Sequence, residues 1–474
     1  MKKHHLTSQL LMLKFAFIAI IYFGSCNKTV VKPETPHGED PTEQPSTPNP
    51  PVKGKEYTLV PDASGRLVID GAKSPYKGGD ALNLKGRFLS INITNLNGTA
   101  GSPIIIRNFD GTAVKIGNPD WNGGSWAEAL SLVNCHYIKI GSESSRTDFI
   151  IDGSVHPARD AYFNLVLSKH TDNIEIRNLT IRNGGTGIWA KTDPVKGDAS
   201  TYYPNSQMEN LLIHDVAISG TNNEAMYIGH TATYWDLNAN TSYYGDPSGF
   251  TPGSQYVQPI KWHNVKIYNN QVQDGGADGI QTAAIDQLEV YSNTVTNWGM
   301  RHNSSHNGGI LIGGRVTNSY VHDNYVHDGW GELLQFYGSG ENGSKHVISN
   351  NLFVNNSQGG NDGISFRGTD RAAVTISNNT VALTGGVSLR INGEKGMTAA
   401  LVVMDNAFIQ PRMSGGAITY NSYVYTENGG GAVEGTGDKA NSRIPSLDAA
   451  GVDIGNYFSP KAGSAIGVTG YRKK

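Results

Sequence analysis

VKIYNNQV (Val265–Val272), LEVYSNTV (Leu288–Val295), SYVHDNYV (Ser319–Val326), VISNNLFV (Val347–Val354) and VTISNNTV (Val374–Val381) are one phrase written five times. Each copy has alternating β-formers, an Asn pair or near-pair and a short apolar stretch, followed by a Gly-rich turn and another apolar strand. Looser copies are IEIRNLTI, LLIHDVAI and VVMDNAFI, and one position aligns as Asn178, Asp215, Asn270, Asn293, Asn324, Asn351, Asn379 and Asn406. The successive spacings are 37, 55, 23, 31, 27, 28 and 27 residues. A fixed period of strand-length, β-branched segments predicts a solenoid, with the two long intervals marking insertions. Its rungs stack about 4.8 Å apart, so like residues lie over one another. An Asn column can then hydrogen-bond along the axis and satisfy polar groups inside the turns, which makes it structural.

Composition agrees. Glycine accounts for 58 of 474 residues and charged residues for 17 %. Gly and Asn both weaken helices and favour turns. A hydrophobic content of 38 % is too high for a disordered chain and too low for a multispanning membrane protein. The net charge of −3 gives no pull toward nucleic acid, and two cysteines make no disulfide scaffold.

The first 26 residues read as an address. Lys2 and Lys3 precede an apolar run from Leu10 to Phe23, the pattern of an export signal. The run ends at Phe23-Gly24-Ser25-Cys26, which resembles a bacterial lipobox and implies acylation of Cys26. Residues 27–55 are rich in Pro, Thr and Glu and read as an extended tether. The expected organisation is therefore a lipoprotein signal peptide (1–26), a tether (27–55) and a repeat domain (56–474). The expected location is an exported, lipid-anchored protein on a bacterial membrane, facing the cell surface or periplasm. Cys135 is left as a buried apolar residue.

The Asn-containing coils, the Asp-Gly-Ile phrases at Asp278–Ile280 and Asp362–Ile364, the opening SPIIIRNFDGTAVKI (Ser102–Ile116) and the closing GNYFSPKAGSAIGV (Gly455–Val468) resemble the right-handed parallel β-helix superfamily. That superfamily includes pectate lyases, polygalacturonases, alginate lyases and chondroitinase B. The resemblance implies an all-β, single-stranded right-handed parallel β-helix of roughly 10–13 coils with loop insertions. It also implies a carbohydrate-active protein, without naming the substrate.

Aligning the strands after the Gly-rich turn gives an inward column of Ile188, Met226, Ile280, Ile310, Leu334, Ile364 and Val387. Alternation then places Trp189, Tyr227, Gln281, Leu311, Gln335, Ser365 and Ser388 outside, followed by Lys191, Gly229, Ala283, Gly313, Tyr337, Arg367 and Arg390. The turn entering the strand carries Thr186, Glu224, Asp278, Gly308, Glu332, Asp362 and Gly385. This alignment stacks Arg367 directly on Arg390. Two like charges 4.8 Å apart repel by about 3.5 kcal/mol at an effective dielectric near 20. Either they clamp a carboxylate or sulfate, or they pair locally with Asp362, Asp370 or Glu394.

Three functions follow. The first is a lyase that cleaves a uronate polysaccharide by β-elimination. Here Arg367 and Arg390 bind the carboxylate with Arg301 in support, and His306 or Tyr337 is the base, with Lys191 a distant candidate. The second is a glycoside hydrolase using Glu332, Asp278 and Asp362, with Glu224 a further acid or base. The third is a noncatalytic glycan-binding protein. In all three, Trp189, Tyr227, Gln281, Gln335, Lys191 and Trp235, the last in the aromatic insertion 230–259, are candidates to bind sugar. No Cys/His set has zinc spacing and the metal is unknown; Ca²⁺ through carboxylates is the one cofactor entertained. The expected partners are a polysaccharide and, through Cys26, a membrane, with the chain a monomer and no nucleic acid involved.

Overall fold

The structure, a computed structural model, describes residues 54–367, 371–394, 396–397 and 401–473. Cys26, most of the tether and Asp370 lie outside the described residues. Residues Pro51–Lys474 form one compact unit.

Each coil of the chain gives one strand to each of three parallel sheets. The first sheet has 13 strands, from Glu56–Leu59 to Ala432–Glu434; the second has 12, from Arg87–Phe88 to Ser442–Ile444; the third has 12, from Arg66–Asp70 to Val424–Glu427. All pairing within these sheets is parallel and joins each coil to the next, as in a solenoid. Inside, like sits on like. Ile188, Met226, Ile280, Ile310, Leu334 and Ile364 are in register along the third sheet, all buried. The rings of Phe336 and Phe366 stack at 4.8 Å, the rung spacing.

The Asn ladder forms at the turn from the first sheet to the second. Asn270, Asn293, Asn324, Asn351, Asn379 and Asn406 each donate Nδ2–H to Oδ1 of the next, at 2.9–3.0 Å, and the ladder continues to Asn441. Asn178 and Asp215 are not in it. They sit one residue earlier, at φ 48° and 55°, and Leu179 and Val216 occupy the column. The two looser phrases have the turn residue of the repeat but an apolar residue at the ladder position.

The outward columns hold as far as Ile364 and then shift by two residues. Ile364 pairs with Leu389, not Val387, so Arg390 follows Ser365 and Arg367 meets Asn392. Arg367 therefore does not stack on Arg390. The cause is Gly385-Gly386, which the alignment took for the Asp-Gly of the preceding coil. Both glycines belong to the turn. A Cβ on Gly385 would come within 2.9 Å of Gly360 Cα, and Gly386 lies against the Asp362 carboxylate. The strand starts later, where Ser388 replaces the expected glycine.

The insertion after His230 makes a four-stranded sheet of its own with Tyr202–Tyr203, in which Tyr256–Pro259 pairs antiparallel with Tyr202–Tyr203 and with Tyr234–Asp236. Trp235 is buried there against Tyr202 and Leu237, so the expectation that it meets a sugar is not met. Phe250 stacks on Tyr256 at 3.9 Å and packs edge-on to Tyr234. Most of the aromatic loop is thus self-packed.

Candidate functional site

The outer face of the third sheet carries three depressions in line along the solenoid. The first, about 510 Å³, lies at Trp121, Trp126, Glu128 and Tyr162. The second, about 290 Å³, is walled by Phe163, Trp189, Tyr227, Glu224, Arg301 and His306. The third, about 1310 Å³, is a cleft with His306 at one edge, Gln281, Gln335, Tyr337 and Arg367 along it, and Tyr244 of the insertion on its wall. His306 borders both the second and the third.

The aromatic end is a continuous ledge. Trp126 stacks on Phe163 at 3.7 Å, Phe163 meets Trp189 edge-on at 5.0 Å, and Trp189 meets Tyr227 at 4.8 Å. Lys191 lies over Trp189 at 4.4 Å and pairs with Asp193 at 3.2 Å, so its charge is taken up locally. Arg301 is held by Asn223 Oδ1 at 2.7 Å and Asp160 at 3.2 Å, at the rim of the second depression. Arg390 is bound to Asp362 through Nε and to Glu427 at 3.2 Å. Asp362 also accepts the Val387 N–H at 2.8 Å, so both its oxygens are engaged.

Between these ends lie two acidic centres. Asp278 is completely buried, with Oδ1 accepting the Gly308 N–H at 2.5 Å. Burial lifts its carboxyl to about 6, with His306 opposing and the Glu224 charge adding. His306 Nδ1 stands 3.3 Å from Glu224 Oε1 and 3.6 Å from Asp278 Oδ2. Asp278, then Glu224, hold the imidazolium up to about 10. Glu332 is the second centre. Burial raises its carboxyl, the Gln335 hydrogen bond opposes, and Asp362 adds to the rise. Gln335 Nε2 donates to Glu332 Oε2 and to Asn307 Oδ1, both at 2.8 Å, tying Glu332 to the loop that carries His306.

Gly308 separates the two centres. A Cβ there would lie 3.4 Å from Asp278 Oδ1 and 3.3 Å from Gln335 Oε1, so any side chain would fill the space between them. Gln281, buried beside them, has an Oε1 with no hydrogen-bond partner. Tyr337 is pushed up to about 12 by burial, and the Arg367 guanidinium lies 4.8 Å over its ring.

The fold thus lines one cleft with His306, Gln281, Gln335, Tyr337 and Arg367, sets Glu224 in the adjoining depression, buries Asp278 against His306 and ties Glu332 to Gln335, and leaves Arg390, Lys191, Asp362 and Trp235 engaged elsewhere. Sequence reading assigns no role to Asn307, although it directly follows His306, and gives Gly308 only its place in the turn column. It also passed over Arg315, buried on the cleft wall and donating to the Pro259 carbonyl at 2.9 Å. Arg315 carries no repeat signal, because it lies in the turn after the strand.

Residues 256–430 match the family model described as the right handed beta helix region. The chain is a right-handed parallel β-helix. No curated protein matches it. Among solved structures it is similar to the GH136 lacto-N-biosidase of Eubacterium ramulus, at 12 % identity and a TM-score of 0.45, over 81 % of this chain and 68 % of that one. It is also similar to pectate lyase Pel9A, at 11 % identity and a TM-score of 0.40, over 84 % and 80 %. A third is the alginate lyase of Paenibacillus sp. str. FPU-7, at 12 % identity and a TM-score of 0.36, over 80 % and 100 %.

Proposed function

We propose that the protein hydrolyses a glycosidic bond in a glycan laid along the third sheet. The observation that carries this reading is the pair of acidic centres in one column, one rung to either side of Gly308. Their strands are two rungs apart, about 9.6 Å between backbones. Inverting glycosidases hold their two carboxyl groups about 6.5–9.5 Å apart, leaving room for a water. Glu332, whose carboxyl burial shifts toward the protonated form, is the acid that protonates the departing oxygen. The attacking water is received on the Glu224–Asp278–His306 side and gives its proton to the Asp278 carboxylate as the bond to the sugar forms. Gln281 and Gln335 offer amides to sugar hydroxyls, and the Trp126–Tyr227 ledge offers aromatic faces to sugar rings.

Elimination from a uronate is a second reading, favoured by Arg367, which lines the cleft and has no ion pair among the described residues. Its candidate bases are poorly suited: His306 is engaged by the Glu224 and Asp278 carboxylates, and the Tyr337 phenol is harder to ionise than usual. The test is incubation with pectin, alginate, glycosaminoglycans and neutral glycans, following ultraviolet absorbance and new reducing ends together. Hydrolysis gives reducing ends without absorbance. A rise in absorbance would replace this reading with elimination, and neither signal would leave a glycan-binding protein. The export and lipid anchoring expected from Cys26 belong to the same proposal; fatty-acid labelling in the bacterial host that is lost in Cys26→Ser is the result it requires.

A further inference from the structure

We propose that Glu224, Asp278 and His306 bind one divalent first-row transition cation of the Zn²⁺ or Mn²⁺ kind. The inference concerns the water-holding side of the site above, but its argument does not use the hydrolysis reading.

The first ground is geometry. One ligand atom from each residue lies within 4.8 Å of the other two. A tetrahedral cation with bonds of about 2.0–2.2 Å to nitrogen and oxygen sets its ligands about 3.3–3.6 Å apart. The two gaps from His306 Nδ1, 3.3 and 3.6 Å, are of that length and long for charge-assisted hydrogen bonds.

The second ground is an orphaned atom. Asp278 Oδ2 is buried with no hydrogen-bond partner, and it is this oxygen that faces His306 Nδ1. Its twin is fixed by the Gly308 N–H. A buried carboxylate oxygen with the imidazole 3.6 Å away and no hydrogen bond is under-satisfied, and a cation between the two supplies a direct partner.

The third ground is the support around the ligands. The loop bearing His306 is fastened on its far side. Trp298 Nε1 donates to the Asn307 carbonyl at 2.8 Å, and Gln335 holds the Asn307 side chain. Ligands held this firmly are what a metal site requires. Three protein ligands leave a fourth position, and His306 borders both depressions, so a water or a sugar hydroxyl can reach it.

One imidazole and two carboxylates form a borderline donor set, suited to Zn²⁺ or Mn²⁺. Ca²⁺ takes six to eight oxygens. The site escapes a search for metal spacing because its ligands come from successive coils, 54 and 28 residues apart in sequence. Only stacking brings them together.

The test uses the full chain, stripped with a chelator and titrated calorimetrically with ZnCl₂, MnCl₂ or CaCl₂, with thermal unfolding as a second readout. The expected result is saturable binding of Zn²⁺ or Mn²⁺ at one per chain, with a raised Tm. His306→Gln should weaken it by about 100-fold or more, with an unchanged circular dichroism spectrum. His306 is half-exposed on a loop, so this variant keeps the fold where Asp278→Asn, in the interior, could lose it. Absence of one-per-chain binding, equal binding by His306→Gln, or binding of Ca²⁺ alone would overturn the proposal. No glycan is present in either measurement, so failure here and failure of hydrolysis are separate results.

Discussion

The outer faces of the first and third sheets are built on the same rungs and treat carboxylates in opposite ways. On the first sheet, Lys139 pairs with Glu175 at 2.8 Å and Lys266 with Glu289 at 2.9 Å. His214, Tyr268, Tyr291 and His322 stack as a column of rings 4.7–5.0 Å apart. The His214 hydrogen bond, then Lys139 and Arg177 over the penalty of burial, hold Glu175 at about 2. On the third sheet Asp278 rises to about 6 and Glu332 rises as well. One face spends its charges on its neighbours along the axis. The other changes residue type at almost every rung, from Trp189 and Tyr227 through Gln281, Leu311 and Gln335, and leaves buried polar atoms without partners. Groups kept unsatisfied beside a cleft are what the proposed function asks of the third sheet, its proposed working face.

The largest expected effect breaks the comparison if it fails. Glu332→Gln should lower kcat on the glycan found in the panel by about 10³-fold, within the usual range for a lost general acid. Glu175→Gln should leave kcat unchanged. Steady-state kinetics on both variants decides it: an equal loss, or none in Glu332→Gln, would mean that the two faces do not differ in chemistry.

Next is a change that should ignore the faces altogether. Asn351 accepts from both the backbone and side-chain N–H of Asn324, and donates to Asn379 and to the Val321 carbonyl. Asn351→Ala strands several buried groups and should cost about 3 kcal/mol in urea unfolding. Its kcat at a temperature well below Tm should stay at the wild-type value.

A finer test uses opposite signs. Glu175 is depressed from its ordinary 4.5, so its stabilisation is present above pH 4.5 and is lost as the pH falls toward 2. Glu332 is raised, so stability drains away as the pH climbs through 4.5 and beyond. At pH 7, Glu175→Gln should therefore destabilise, by about 1–2 kcal/mol after screening, while Glu332→Gln stabilises. Both values come from denaturant melts at pH 3, 5 and 7.

The fold was legible because a solenoid writes its period into the chain. Val265–Val272 and its four close copies specify strand, ladder and turn with little help from distant residues. The columns drawn from Ile188 to Ile364 are the observed ones. The errors share a cause. Gly385-Gly386 mimics Asp-Gly in sequence, and only the pressure of Gly360 and Asp362 from the coil below assigns it to the turn. Trp235 looked exposed because an insertion has no period to read. The site was legible as far as residue type and column could carry it, which included Glu332, Gln335, Asp278 and His306. What no column contains is the Gln335 tie between Glu332 and Asn307 or the orphaned oxygen of Asp278, since these depend on side-chain direction.

The smallest expected effect probes how far the working face extends. Trp126 is half-exposed, stacked on Phe163 and tied by Nε1 to Glu128 at 2.9 Å, in the depression farthest from the acidic centres. Phe163 is in register with Thr186, which lies in the column that runs on through Glu224, Asp278 and Gly308 to Glu332. That is five rungs, about 24 Å of axis, from the aromatic ledge to the acid. If one glycan spans both, Trp126→Ala removes a stacking contact of about 1 kcal/mol. KM for long chains should then rise about 5-fold, with kcat unchanged. A short oligosaccharide that fills only the cleft at Gln281 and Gln335 should show no change. Equal KM shifts for long and short substrates would confine the working face to the cleft and leave the ledge as packing.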